Sequence, residues 1–360
     1  MRMTSRITWI VAGALLVMAP GCEKQSVEQG GRADQSVNWK MASSFPASLP
    51  LLGTGGPYYT ERIKTISRGR INITFFDPGK LVPALEVFDA VSNGAVDAGW
   101  AAPGYWFGKI PAATLFGSFP FGPELPEFVA WMFEGGGLEI YKDLYARHNL
   151  WVMPCQATPA EASGWFRQEI TSIDQFKGMK IRFYGLGGQV MQKLGASVQL
   201  LATGDLYPAL ERGVLDATEF GMPIYDVQLG LHKIAKHYYF PGWHQPSSFA
   251  EFFVNMDRWK SLDAADQALL ESVCKETVLR GIGLGESLNF DPLDEIKKSG
   301  VQIHVWPDEM LAKFRATWEE VVEENRAKDP DFKRAWDSFN AFHQKYREWD
   351  RLSKIPKKFQ

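Results

Sequence analysis

The chain has 360 residues, 45% hydrophobic and 13% aromatic, enough core material for two domains or one large one. Its 39 Lys and Arg against 42 Asp and Glu leave a formal net charge of −3. With no basic excess, nucleic acid and anionic membrane surfaces are set aside as main partners.

Arg2 and Arg6 precede an apolar run over residues 7–19 and then Pro20-Gly21-Cys22, the layout of an export signal. The run falls short of the roughly 20 residues that span a bilayer. Residues 1–22 therefore read as a signal peptide, with lipidation of Cys22 as the alternative to simple cleavage. Residues 23–36, polar and rich in Gly and Gln, read as a flexible tether. Beyond them only Cys155 and Cys274 remain, which read as two buried thiols and not as a disulfide framework. The histidines are scattered without zinc-ligand spacing, and Gly185-Leu186-Gly187-Gly188 lacks the Lys-Ser/Thr of a phosphate loop. No nucleophile elbow occurs.

Two stretches share a plan. Residues 87–100 and 206–219 each read as a short amphipathic helix stopped by Gly94 or Gly213, then a strand opening with apolar residues and Asp-Ala. Upstream of them, residues 69–75 and 178–183 match as strands. Such alternation argues for two parallel α/β sheets in two lobes, with ligands beyond the carboxyl ends of the strands. Superposing the repeats gives Trp100 and Glu219 one address, both looking into the cleft. Arg182 ends the strand in residues 178–183, and a buried guanidinium needs an anion. Another side chain or a substrate carboxylate could supply it.

The last third reads as helical. Residues 261–299 form one long or broken helix, 301–306 a strand, and Pro307 opens a helix to about Lys328. Phe332, Trp336, Phe339, Phe342, Tyr346 and Trp349 recur at three- and four-residue steps, one aromatic stripe on a final helix that either packs on its own core or grips a second subunit.

Several segments then resemble the solute-binding subunits of tripartite ATP-independent periplasmic (TRAP) transporters, the DctP-type family. They are residues 81–91 (LVPALEVFDAV), Pro120-Phe121-Gly122, 164–170 (GWFRQEI), Lys180-Ile181-Arg182 with Gly185-Leu186-Gly187-Gly188, Tyr207-Pro208-Ala209-Leu210, and 238–244 (YYFPGWH). The likeness runs from about Trp39 to the C-terminus and is greatest to the branch that binds 2-oxo acids and related monocarboxylates with a metal ion. It implies an α/β, two-lobed periplasmic binding protein fold with hinge strands, a long helix bridging the lobes and a C-terminal helical extension. Lobe I is expected over residues 37–157 plus about 246–290, and lobe II over 158–245 plus about 291–328. Residues 329–352 would be a C-terminal helix that serves dimerisation by exchange between subunits. The resemblance further implies a periplasmic protein, free or lipid-anchored, that is not an enzyme and hands its ligand to a membrane permease.

By the same resemblance, Arg182 falls on the arginine that clamps the substrate carboxylate, Glu219 on the acidic metal ligand, and Phe220, where Trp is usual, on a backbone-carbonyl ligand. Two positions depart together: Glu161 stands where that branch has Gln, and Gln245 where it has Glu. Arg182 against Glu161 and Glu219 sums to −1, and a monocarboxylate makes it −2, so Ca²⁺ or Na⁺ is expected to bind with the substrate. The bland alternative pairs Glu161 with Arg167 or solvent. Trp100, Tyr105, Trp106, Trp165 and Trp243 read as pocket walls, with Phe45, Phe220 and Pro103-Gly104 hinting at an altered pocket. The function expected is capture of a small monocarboxylate, a 2-oxo acid such as pyruvate or a 2-hydroxy acid such as lactate. The competing readings are an exported metal-dependent hydrolase or lyase using the paired carboxylates, and a sensory ligand-binding protein.

Overall fold

The computed structural model describes residues 36–355; the signal peptide, Cys22 and nearly all of the tether lie outside them. The chain enters as β1 (Val37–Ser43), α1 (Gly55–Ile66), β2 (Ile71–Phe76), α2 (Val87–Ser92) and β3 (Ala98–Ala101). After short 3-10 turns come α3 (Leu125–Glu134), α4 (Gly137–Ala146) and β4 (Leu150–Thr158), then β5 (Gly164–Phe166), β6 (Lys180–Arg182), α5 (Gly185–Lys193) and β7 (Ser197–Gln199). These are followed by α6 (Leu206–Glu211), β8 (Ala217–Thr218), α7 (Pro223–Gln228), α8 (Leu231–Ile234) and β9 (His237–Phe240). The chain returns through β10 (Ser248–Asn255), α9 (Met256–Lys260), α10 (Ala264–Ser287), α11 (Phe290–Lys298), β11 (Gln302–Val305), α12 (Asp308–Lys328) and α13 (Pro330–Ser353).

Two sheets result, β2-β1-β3-β10-β4 and β11-β9-β5-β8-β6-β7. Each holds a central strand paired in parallel on both sides, β1 between β2 and β3 and β6 between β7 and β8. The repeat is thus real, and its first strand is β1 in one copy and β6 in the other. The match of residues 69–75 to 178–183 is corrected accordingly: β2 is an edge strand and corresponds to β7. Gly94 and Gly213 stop α2 and α6 with φ of +81° and +72°, a backbone that side chains with a Cβ disfavour. Asp97 accepts the Lys40 amide at 2.8 Å, and Asp216 accepts the Lys180 amide at 2.8 Å. The Asp-Ala motif is therefore a register pin in both sheets, and it fixes Trp100 and Glu219 at matching positions.

The chain crosses between the sheets at residues 159–163 and 241–247, and the flanking strands β4 and β10 pair antiparallel with Ser248 opposite Thr158. Both strands are buried throughout. Helix α10 packs along β4 and α1, and after a break at Leu288-Asn289 the chain continues as α11 against α7. Its Gly281 lies so close to β4 that a Cβ would stand 2.5 Å from the Ala157 carbonyl oxygen. Cys155 of β4 and Cys274 of α10 form a disulfide, which overturns the expectation of two thiols. The two residues are 119 apart in sequence, and only the packing of helix on strand brings them together.

The aromatic stripe of α13 divides along its length. Phe332 and Phe339 are buried, with Phe339 edge-on to Phe119 and Trp131 at 4.9 and 5.4 Å, whereas Trp349 is 65% exposed. Most of the stripe packs on the protein's own core, and its far end is open. No helix among the described residues is long and apolar enough to cross a membrane.

Candidate functional site

Arg182 leaves β6 pointing inward and is 1% exposed. Its Nη1 donates to the Glu219 carboxylate at 2.8 Å and to the Glu219 backbone carbonyl at 2.7 Å, while its Nε has no partner. Glu219, just past β8, is fully buried and also accepts the Tyr184 amide at 2.5 Å through the same oxygen. Its other oxygen, Oε2, is unpartnered. The anion that Arg182 needs is thus partly supplied by the chain, and one face of each partner is left unsatisfied. Burial raises the Glu219 pKa, but the Arg182 guanidinium and His244 outweigh it and hold the carboxyl below its usual value.

Glu161 and Gln245 lie in the two crossings between the sheets, where the Glu161 amide donates to the Gln245 carbonyl at 3.4 Å and the Gly242 amide to the Glu161 carbonyl at 2.9 Å. The two residues are therefore backbone neighbours, and both line the same cavity. The Oε2 of Glu161 is buried without a partner. Burial, then the charges of Glu219 and Asp226, push its pKa well above the usual value, with Arg182 pulling the other way. Arg167 is not its partner, since its guanidinium is spent on the Leu210 and Leu215 carbonyls.

A small cavity of about 30 Å³ is lined by Glu161, Arg182, Gln245, Tyr105, Tyr184 and Phe220, with Phe45 and Leu52 among its apolar walls. The Phe220 ring lies 5.5 Å from the Arg182 guanidinium carbon. Tyr184 closes the cavity by accepting the Gly104 amide at 2.6 Å, a contact between the segment after β3 and the segment after β6. Here only Gly fits: a Cβ on residue 104 would stand 2.3 Å from the Tyr184 ring.

Four expected wall residues do not line this cavity: Trp243, whose ring stacks on Phe314 at 4.6 Å, and three whose indole donors are placed elsewhere. Trp100 turns its indole N–H to the Leu52 carbonyl at 2.7 Å, Trp106 to Glu251 at 2.7 Å, and Trp165 stacks on Tyr238 at 3.9 Å while donating to Asp226 at 2.8 Å. They hold the scaffold behind the walls, since a buried indole must place its one donor and scaffold carbonyls and carboxylates receive it. Tyr184, His244 and Asp226 also stand at or beside the site, none of them among the residues expected there. Tyr184 was legible, because it stands two residues beyond Arg182 on an extended segment and shares its face. His244 ends the family-like segment 238–244 without a role assigned to it there, and Asp226 gave no sequence signal beyond its residue type. One oxygen each of Glu161 and Glu219 and one ring nitrogen of His244 lie within 4.8 Å of one another, a set of donors suited to a cation. A larger hollow of about 340 Å³ beside Arg167, Lys177 and Asp216 offers no comparable cluster, its Lys177 being paired with Asp174 at 2.6 Å.

Residues 43–329 match the family described as bacterial extracellular solute-binding protein, family 7. A monocarboxylate 2-oxoacid-binding periplasmic protein of Nostoc is 36% identical, covering 89% of this chain and 88% of its own length. A TRAP transporter solute-binding protein of Bordetella bronchiseptica superposes with a TM-score of 0.87 at 32% identity, over 89% of this chain and 95% of its own. It is a mixed-occupancy dimer with copurified calcium and picolinate in one active site. A TRAP periplasmic solute-binding protein of Pseudoalteromonas atlantica, with sodium and pyruvate bound, has a TM-score of 0.85 at 31% identity, over 88% and 97% of the two chains.

Proposed function

Because the chain belongs to bacterial extracellular solute-binding protein family 7, we propose that it captures a small monocarboxylate, a 2-oxo acid such as pyruvate or a 2-hydroxy acid such as lactate, together with Ca²⁺ or Na⁺. As a TRAP solute-binding protein it then delivers the anion to a membrane permease. The observation that carries the ligand assignment is the unfinished pairing of Arg182 and Glu219. An Arg182 nitrogen and a Glu219 oxygen, both buried and unpartnered, belong to one site with the unpartnered oxygen of Glu161. A buried site with open demand of both signs suits an anion and a cation entering together.

In this reading the substrate carboxylate meets Arg182, and its carboxylate and 2-oxo or 2-hydroxy oxygens complete the coordination of a cation held by Glu161, Glu219 and the Phe220 carbonyl. The bound cation supplies positive charge that lets two carboxylates and an anion share one cavity. Arg182 against Glu161 and Glu219 sums to −1, so a monocarboxylate alone would leave a buried charge of −2, which Ca²⁺ offsets in full and Na⁺ by half. Gln245, Tyr105 and Tyr184 finish the wall, and Gly104 against Tyr184 closes it. Closure biased by ligand affinity gives the open and closed states that delivery requires. The lobes follow the two sheets, and the fold serves transport with no chemistry of its own.

The exposed end of α13, with Trp349 and Leu352 at 65% and 66%, supports a homodimer built on this helix. Export to the periplasm, with Cys22 lipidated or the signal simply removed, agrees with the relatives and with the disulfide. Native mass spectrometry of the protein as purified tests the ligand reading. A retained mass equal to one small monocarboxylate plus Ca²⁺ or Na⁺ is expected, and a protein that retains neither and takes up neither on addition would defeat it.

A further inference from the structure

His237 of β9 and His304 of β11 stand 67 positions apart in sequence, yet the fold brings their rings together. Gln302 pairs with His237 in the parallel register, so His304, two residues on, shares the face of His237. His237 Nδ1 and His304 Nε2 face each other at 3.0 Å. The His304 ring lies flat on Tyr239 at 4.5 Å, and the Tyr239 hydroxyl accepts the Ile170 amide at 2.7 Å, which fixes both rings. The pair is remote from Arg182, since β5 and β8 separate β9 from β6.

The second nitrogen of His304, Nδ1, stands 3.9 Å from a carboxylate oxygen of Glu169. That charge favours a proton on Nδ1 and leaves Nε2 as a bare lone pair directed at His237. Burial, then a charged His237, hold the His304 pKa below its usual value against the pull of Glu169, which keeps the ring neutral. A neutral imidazole with a carboxylate behind one nitrogen and a second imidazole before the other has the surroundings of a metal-binding histidine. Two imidazole nitrogens bound to one tetrahedral zinc at about 2.0–2.1 Å stand about 3.3 Å apart, close to the gap seen here. Both rings are half-buried, so solvent reaches the remaining coordination positions.

We propose that His237 and His304 form a binding site for a transition-series divalent ion, Zn²⁺ or Cu²⁺, that clips β11 to β9, with Glu169 as the positioning residue behind His304. The site is separate from the ligand cavity and does not depend on what binds there. Imidazole pairs suit zinc and copper, and hard oxygen sets suit calcium, so Ca²⁺ does not compete for it. β11 is an edge strand of its sheet, with Val305 73% exposed, and an open edge gains from being fastened. An ion held by residues 67 positions apart also closes a long loop of the unfolded chain.

The test uses the exported protein without an affinity tag, in excess Ca²⁺. Calorimetric titration should show one Zn²⁺ per chain, bound about tenfold or more weakly in His237→Ala and in His304→Phe, which keeps a ring on Tyr239, and severalfold more weakly in Glu169→Gln. Zn²⁺ should raise the melting temperature of the parent and leave both histidine variants unmoved. EPR of one equivalent of Cu²⁺ should show coupling to two ¹⁴N nuclei in the parent and to fewer in each histidine variant. Should a variant fail to fold, the parent's Cu²⁺ spectrum decides: two couplings support the pair, and one or none overturns it. No saturable Zn²⁺ binding, or Zn²⁺ affinity unchanged in both histidine variants, would likewise overturn the site. Glu169→Gln at parental affinity would remove Glu169 from it. Absence of pyruvate binding would count against the ligand reading alone, because none of these measurements involves pyruvate.

Discussion

Arg182 meets Glu219 through a single nitrogen, Nη1, which donates to the carboxylate at 2.8 Å and to the backbone carbonyl at 2.7 Å, and the two side chains are 2% and 0% exposed. A pair so buried is strongly felt when one partner is removed, because the other is left as an uncompensated charge. Glu219→Gln keeps the shape and should destabilise the protein by about 3 kcal/mol, read as a lower denaturation midpoint, while cation-dependent ligand binding disappears. A variant as stable as the parent would show that the pair is not what holds β6 to β8.

Arg182→Lys separates charge from fork geometry. Lysine can keep one contact to Glu219 but cannot offer the rest of the guanidinium to an incoming carboxylate. Loss of one charge-assisted hydrogen bond costs about 1.5–3 kcal/mol, so monocarboxylate affinity should fall by about 10- to 100-fold in calorimetric titration. Unchanged affinity would remove Arg182 from the ligand.

Gly104 and Tyr184 bring together segments that follow β3 and β6, and the Gly104 amide donates to the Tyr184 hydroxyl at 2.6 Å. Tyr184→Phe should lower ligand affinity about fivefold through loss of that hydrogen bond. Gly104→Ala should do more harm than Tyr184→Phe, since its Cβ would stand 2.5 Å from the Tyr184 oxygen and prop the contact open. Small-angle scattering with saturating ligand checks the cause, and a Gly104→Ala profile identical to the parent's would contradict it.

Glu251 gives stability a pH dependence away from the ligand site. Burial raises its pKa to about 7 although Tyr141, Tyr145 and Trp106 all donate to it, and burial likewise raises Asp226 to about 7. The native state then holds protons that the unfolded state has released, so stability falls as pH rises from about 4.5 to about 7 and levels off above. Melting temperature without ligand should drop between pH 5 and pH 8, and Glu251→Gln should drop less steeply. Equal slopes for the two proteins would show that Glu251 is not held protonated.

The disulfide between Cys155 and Cys274 closes a 119-residue loop and fastens α10 to β4. Replacing both cysteines with alanine should cost about 2–5 kcal/mol of stability. Thermal melting of the variant beside the parent, with and without reductant, checks it: reductant should lower the parent toward the variant and leave the variant unmoved.

The sequence carried the strand-helix alternation, because Gly stops and the Asp-Ala pin are local signals repeated in both halves, and these led to Glu219 at a strand end. It misaligned β2 with β6 because edge and central strands look alike until their neighbours are known. The disulfide was invisible for a related reason, since Cys155 and Cys274 meet only through the packing of α10 on β4. Trp100 shares Glu219's position in the repeat but faces Leu52, because position in a repeat fixes the backbone and leaves the side chain to its local partners. The neighbourhood of Glu161 and Gln245 lay beyond sequence too, being made by two crossings of the chain 84 positions apart.

The central claim, that a small monocarboxylate and a cation bind together at Arg182, Glu219 and Glu161, is tested most directly by titrating pyruvate into metal-stripped protein by calorimetry, first with chelator and no sodium, then with Ca²⁺ or Na⁺ restored. Binding should be weak or absent in the stripped protein and return when either ion is added. Pyruvate affinity that is the same in all conditions would contradict the claim.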